Sequence, residues 1–449
     1  MRTNAQLFPN SHRPVLCETF IRFRRFTTMR IFLLKTFLLL CPFFLSAQDE
    51  NEVGIFDDDI KTVQFQLAGS PLSLPMVDLP TRPNSLILEF DHMGGDIKDY
   101  KYTLVHCNSD WQPSELIDNQ YMDGFLEDRI TMVESSFNTL TQYTHYMLPI
   151  PNSNIKWSKS GNYLLKVFDT DEDDQLVLVR RFMVVEPTWR ISAQFVRTAR
   201  VDKSNTHHEI DFLVKPKGER ISNPQNDVKA FVLQNGRWDN AIGPVKPYIT
   251  RGEDIVYDYQ DQIVFPAGME FRFFDMRTFD VRGERVKIIT EKRDFYEVTL
   301  QRDESRFDRS AVFREDADGR FVIDNRHYNQ TLLQCDYGKV LFSLSRNLPL
   351  DDEDVYIFGE LSDWQLKPEF KMEYNAEAKA YYCEPFLKQG YYNYEYVVVN
   401  SRTNEIDPEG FEGNWYETGN QYTVLVYFRP FGARYDRLMG AATLKSGRP

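Results

Sequence analysis

The most constraining stretch of this 449-residue chain is its middle, residues 227–280, where every apolar run is short and none keeps a helical period. Val228-Lys229-Ala230-Phe231-Val232-Leu233-Gln234 is rich in β-branched and aromatic residues. It stops at Asn235-Gly236, a dipeptide suited to the positive φ angles of a tight turn. Ile255-Val256-Tyr257, Ile263-Val264-Phe265 and residues 270–275 repeat the pattern, each bounded by Gly, Pro or Asp. The runs are too short for helices and their residue types favour pleated backbone, so strands are predicted throughout.

Similar material lies on both sides. Residues 62–67 and 100–107 alternate apolar with polar, and 163–168 and 176–185 flank an acidic turn as an antiparallel hairpin would. Glu186-Pro187 reads as a boundary, because proline ends strand pairing. Residues 302–318 are highly charged and low in aliphatics, which reads as a linker. A chain of this length holds two to four domains. Its 34 Phe and 24 Tyr suit sheets whose buried faces are filled by rings. The expected fold is all-β, with three tandem immunoglobulin-like or early-set β-sandwich domains at 48–187, 188–303 and 304–449.

Charge separates the N-terminus from the rest. Residues 1–47 carry seven Lys or Arg against Glu18 alone, a net of +6, so the remainder carries −20 of the overall −14. An acidic body of this kind disfavours nucleic acid and anionic membranes, whose phosphates need a basic face. Met29-Arg30-Ile31 opens a basic segment, residues 37–45 are apolar, and Ser46-Ala47 supplies small residues. That is a signal-peptide pattern cleaved near Ala47, with Met29 as the expected start and residues 2–28 as an extension. The apolar run is too short to span a bilayer as a mature helix. Leu40 before Cys41 argues against a lipoprotein site, where a small residue is expected. A periplasmic location, with no direct membrane insertion, follows from this pattern as an expectation.

No reactive constellation emerges. Cys107, Cys335 and Cys383 are odd in number, far apart and in no C-x-x-C spacing, so each reads as a small buried hydrophobe. His106 and Cys107 are adjacent on a predicted strand and should point to opposite faces, which prevents a nucleophile–base pair. His207-His208 lies in a polar loop and reads as no metal site. The acidic run 169–174 lacks the glycine and glutamate spacing of a calcium loop and reads as a solvated turn, as does 351–354. G-x-S-x-G, H-E-x-x-H and phosphate-binding glycine loops are absent, so neither an enzyme nor a cofactor is expected.

One small-molecule signal is present. Gly359-Glu360-Leu361-Ser362-Asp363-Trp364 and Gly390-Tyr391-Tyr392-Asn393-Tyr394 look like the turn and aromatic strand of the glycogen- and starch-binding modules. On that reading Trp364, Tyr391 and Trp415 form a stacking platform for sugar rings. The bland reading is that these rings hold the fold together whether or not sugar binds.

A larger ensemble carries a second resemblance. It comprises residues 70–75, His106-Cys107-Asn108-Ser109-Asp110-Trp111-Gln112-Pro113-Ser114, Ser160-Gly161-Asn162-Tyr163, Gln234-Asn235-Gly236-Arg237-Trp238-Asp239-Asn240, residues 388–394 and Arg434-Tyr435-Asp436-Arg437-Leu438. Together these strings resemble the plug protein of the Bacteroidota type IX secretion system, over about residues 62–440. The resemblance implies a soluble periplasmic protein, monomeric when free. It would close the periplasmic mouth of the outer-membrane translocon barrel and be displaced when cargo engages. No catalytic, cofactor or metal residue comes with it. The long loop at 108–137 is the first expected contact, because loop insertions often carry contacts. A carbohydrate-binding accessory protein of the envelope is the alternative, and a secreted hydrolase the distant one.

Overall fold

The computed structural model describes residues 51–310, 312–326 and 332–447. The expected signal segment 1–47, its start at Met29 and its cleavage near Ala47 lie outside the described residues. Within them the fold is all-β. The strands fall into six sheets, and α-helix is limited to single turns such as Asp118–Tyr121 and Glu409–Glu412.

The first apolar core lies between two antiparallel layers. One contains Tyr100–Cys107, Gly161–Asp169 and Gln175–Val185, and the other Ile60–Leu67, Leu86–Met93, Tyr143–Ile150 and Met132–Ser135. Along Tyr100–Cys107 the period-two alternation buries Tyr100, Tyr102 and Leu104 on the core side. Gly161–Asp169 is buried at nearly every position because its second face is covered too. That second face forms another apolar layer, where Leu164, Val179 and Met183 meet Phe231, Leu233 and Leu425. The hairpin read around the acidic turn is present, with Asp169 opposite Gln175.

The second core is again enclosed by two layers. His207–Lys215 and Asp254–Tyr257 face Val228–Gln234, Gln421–Phe428 and Arg437–Lys445. Asn235 and Gly236 both have positive φ, 55° and 74°, as the turn chemistry of that dipeptide requires. A side chain at residue 236 would sit 2.5 Å from the Arg320 guanidinium, so glycine is also needed for space. The third core is wrapped by one continuous eleven-stranded sheet built around Gly390–Asn400, rather than by two separate layers.

Sheet pairing crosses the boundary expected near 303. Val228–Gln234 pairs along its whole length with Gln421–Phe428, so the C-terminal hairpin closes the second core. Arg272–Asp275 pairs with Gly390–Asn400 and belongs to the third. The third body is therefore inserted into the second instead of following it. Alternation along a strand reports which face is buried but carries no address for its partner. The linker reading of 302–318 also changes. Asp303 is buried and accepts hydrogen bonds from Arg272, Tyr394 and Tyr396, so a charged stretch supplies an internal ion cluster.

Candidate partner-docking surface

The loop that leaves Tyr100–Cys107 is fixed at its base. The Ser109 amide and hydroxyl donate to Asp436 at 3.0 and 2.7 Å. Burial alone would raise the Asp436 pKa, but those two bonds and the Lys229 ammonium hold it below the usual carboxylate range. Trp111 lies edge-on to Trp238 at 4.9 Å, and the Arg181 guanidinium sits 4.6 Å over its ring. His106 Nε2–H donates to the Ser160 carbonyl at 3.1 Å, while Nδ1 accepts from the Ser114 hydroxyl at 2.8 Å. Burial pushes the His106 pKa down to about 4, which keeps the ring neutral and structural.

Beyond that anchor the loop turns outward. After the helical turn Asp118–Tyr121, its segments become Glu127–Arg129, the last strand of one layer, and Met132–Ser135, the last strand of the other. The loop thus closes one side of the first sandwich, and both outer strands are short, as open sheet edges commonly are. Ile117, Phe125 and Leu126 are 60%, 62% and 50% exposed, and Met132 and Phe137 are nearly as open. Asp123 and Glu134 stand among them with no ion pair among the described residues. Exposed apolar side chains gathered in one loop make it a candidate contact surface.

The other predicted residues occupy quieter places. Cys107 packs in the apolar layer between the first two cores while His106 lies against Tyr121 and Tyr163, so the pair do point apart. Burial pushes the Cys107, Cys335 and Cys383 thiols up to about 12, far from a reactive thiolate. His208 is buried, donating to the Tyr416 carbonyl and accepting from the Tyr422 hydroxyl. No group of three or more His, Cys, Asp or Glu among the described residues is placed to hold a metal ion.

Trp364 is half-buried, with the Arg237 guanidinium 4.3 Å over its ring and Phe358 and Phe271 against its edges. Tyr391 stacks on Phe273 at 5.8 Å. Trp415 is half-buried beside the turn at Gly268, to whose carbonyl its amide donates. No ring contact joins any two of these three residues among the described residues. Sequence reasoning missed Arg320, which donates to the Leu72 and Asn235 carbonyls and so ties the first two bodies to the third. A lone arginine in a turn gives no local signal of such reach.

These features define a class: an all-β protein of several packed sheets, with a loop of exposed apolar side chains at the edge of the first core. Comparison with known proteins gives the family. Residues 60–186 match the model of the type 9 secretion system plug protein first domain. A solved structure of a hypothetical protein from Parabacteroides merdae ATCC 43184 is 36% identical, with a TM-score of 0.82, over 88% of this chain and 98% of that one. No curated protein matches. The chain belongs to the type 9 secretion system plug family.

Proposed function

We propose that this protein is a periplasmic plug that docks on the periplasmic opening of the outer-membrane type IX translocon barrel and closes it until cargo engages. It acts by occlusion rather than chemistry, with no cofactor. The observation that carries the reading is the family match over 60–186, because that span contains the anchored loop with its exposed Ile117, Phe125 and Leu126. A wide pore needs a stiff stopper, and bodies joined by apolar packing and buried charge are stiff. Release then requires only that closed and cargo-engaged states differ in affinity for this surface.

The test is affinity capture of the tagged mature chain from its native envelope, with mass spectrometry of what is retained. Recovery of a very large outer-membrane barrel is expected, and its loss is expected when Phe125→Glu and Leu126→Glu are combined. Both positions are open to solvent, so the double variant should keep the thermal midpoint of the parent. Capture without any barrel would sink the plug reading. Retention of the barrel by the double variant would move the contact elsewhere on the molecule.

A further inference from the structure

The inserted third body is joined to the second by two connections that run side by side. Residues 267–271 lead out from Val264–Pro266, which pairs with His207–Lys215 of the second body, to Arg272–Asp275 of the third. Residues 413–420 lead back from Glu409–Glu412 to Gln421–Phe428. Neutral groups cross-link the two. The Trp415 amide and the Thr418 hydroxyl donate to the Gly268 carbonyl at 2.9 and 2.8 Å, and the Asn420 side-chain amide donates to the Ala267 carbonyl at 2.8 Å. Adjacent connections of this kind are where one body turns on another.

One cross-link is ionisable. Glu270 is buried on the outward connection and accepts the Gly419 amide of the return at 2.9 Å. Asp316 accepts the amide of Phe271, the residue after Glu270, at 2.6 Å, and the Asp318 amide at 2.8 Å. The charges of Asp316 and Asp318 both act on Glu270. The cations facing the cluster are Arg306, Arg320 and Lys445, while the neutral hydroxyls of Tyr391 and Tyr422 face Asp316 and Asp318. Arg306 forms its ion pair with Glu412, Arg320 donates to the Leu72 and Asn235 carbonyls, and Lys445 is exposed. None of the three cations forms an ion pair with the cluster.

We propose that this junction is a proton-sensitive hinge: a proton on the Glu270–Asp316–Asp318 cluster holds the second and third bodies together, and full ionisation loosens the two connections. Burial is the main cause, because it penalises three like charges in one partly dry junction. It raises the Glu270 pKa to about 7 and the Asp316 pKa to about 6, against the pull of Arg306 and the backbone amides. Both lie above the ordinary values of 4.5 and 3.8, so the folded junction holds protons that the unfolded chain releases. Its stability is complete below about pH 4 and is lost as pH rises through 6 and 7. The proposal does not depend on the plug reading, because it concerns the chain alone.

The test is hydrogen exchange of the full chain, read by mass spectrometry at pH 5.5 and pH 8 and corrected for the pH dependence of intrinsic exchange. Residues 267–271 and 413–420 should open about tenfold more at pH 8, the effect of one pKa unit, while Gly161–Asp169 in the first core changes little. Glu270→Gln keeps an acceptor for the Gly419 amide without the charge. It should stay closed at both pH values, with a thermal midpoint at pH 8 no lower than the parent's. Asp318→Asn should narrow the parent's difference, and asparagine is at ease with the φ of 52° at that position. Equal opening of the parent at both pH values would overturn the proposal. So would the parent's full pH dependence in both variants, or a change of the same size in Gly161–Asp169, which would mark loosening of the whole molecule.

Discussion

His145 shows how a single side chain couples two bodies. Its Nδ1–H donates to Asp91 at 2.7 Å, and Asp91 also receives Lys388 from the third body. Burial opposes the imidazolium charge, but the hydrogen bond to Asp91 and the Glu89 carboxylate 3.7 Å from Nε2 prevail and raise the pKa to about 9. A folded pKa above the unfolded value of about 6.5 means stability fully present below pH 6.5 and lost as pH rises through 9. The protein should therefore have a lower thermal midpoint at pH 10 than at pH 7. His145→Gln should lose about 2 kcal/mol at pH 7 and show a smaller drop over that interval. Equal drops in the two proteins would remove His145 from the account. Nothing in Tyr143-Thr144-His145-Tyr146 announces this role, because Asp91 and Lys388 are brought to it only by the fold.

Among the elements, the loop at 108–137 depends on how closely Gly161–Asp169 approaches its neighbours. Gly161 has a φ of 136°, and a Cβ there would lie 2.7 Å from His106 Nε2 and 3.1 Å from the Asp436 carbonyl. Gly161→Ala should cost about 2–4 kcal/mol. It should also speed proteolysis within 108–137, since His106 and Asp436 anchor the base of that loop. An unchanged cleavage rate would show that the loop is held from elsewhere. Individual strands were legible in the sequence because alternation and turn chemistry are local: Val228–Gln234, Gly161–Asp169 and Gln175–Val185 stand where their residues place them. The loop at 108–137 was legible as an insertion, though its outer strands and exposed apolar side chains were not. Pairing between distant strands was illegible. Val424 opposite Val232 satisfies the same burial rule that dozens of other apolar pairs would satisfy. The charged run 302–318 misled for a related reason, since composition suggests solvent and only the fold brings Arg272 to Asp303.

For the molecule as a whole, the insertion makes the second and third bodies interdependent. Residues 188–303 alone lack Gln421–Phe428, leaving Val228, Ala230 and Val232 with one face unpaired, and retain Arg272–Asp275 without Gly390–Asn400. That fragment should fail to fold cooperatively. Truncation after Gly419 should expose the second core to protease while the first body survives. Calorimetry of the fragment and limited proteolysis of the truncated chain check the two outcomes, and a sharp melting transition in the fragment would contradict the topology. This interdependence also makes the molecule a poor candidate for domain-by-domain engineering.

The closing hairpin has a consequence in time. A chain emerges N-terminus first, so the first body can complete itself once Val185 is free and the third once Phe411 is free. The middle body must wait for Gln421–Phe428 and Arg437–Lys445, the last strands of the protein. Asp436, which holds the base of the loop at 108–137, arrives on the same late segment. The base of the loop at 108–137 is thus completed only when this segment has been delivered, and a prematurely ended product carries the loop without its Asp436 contacts.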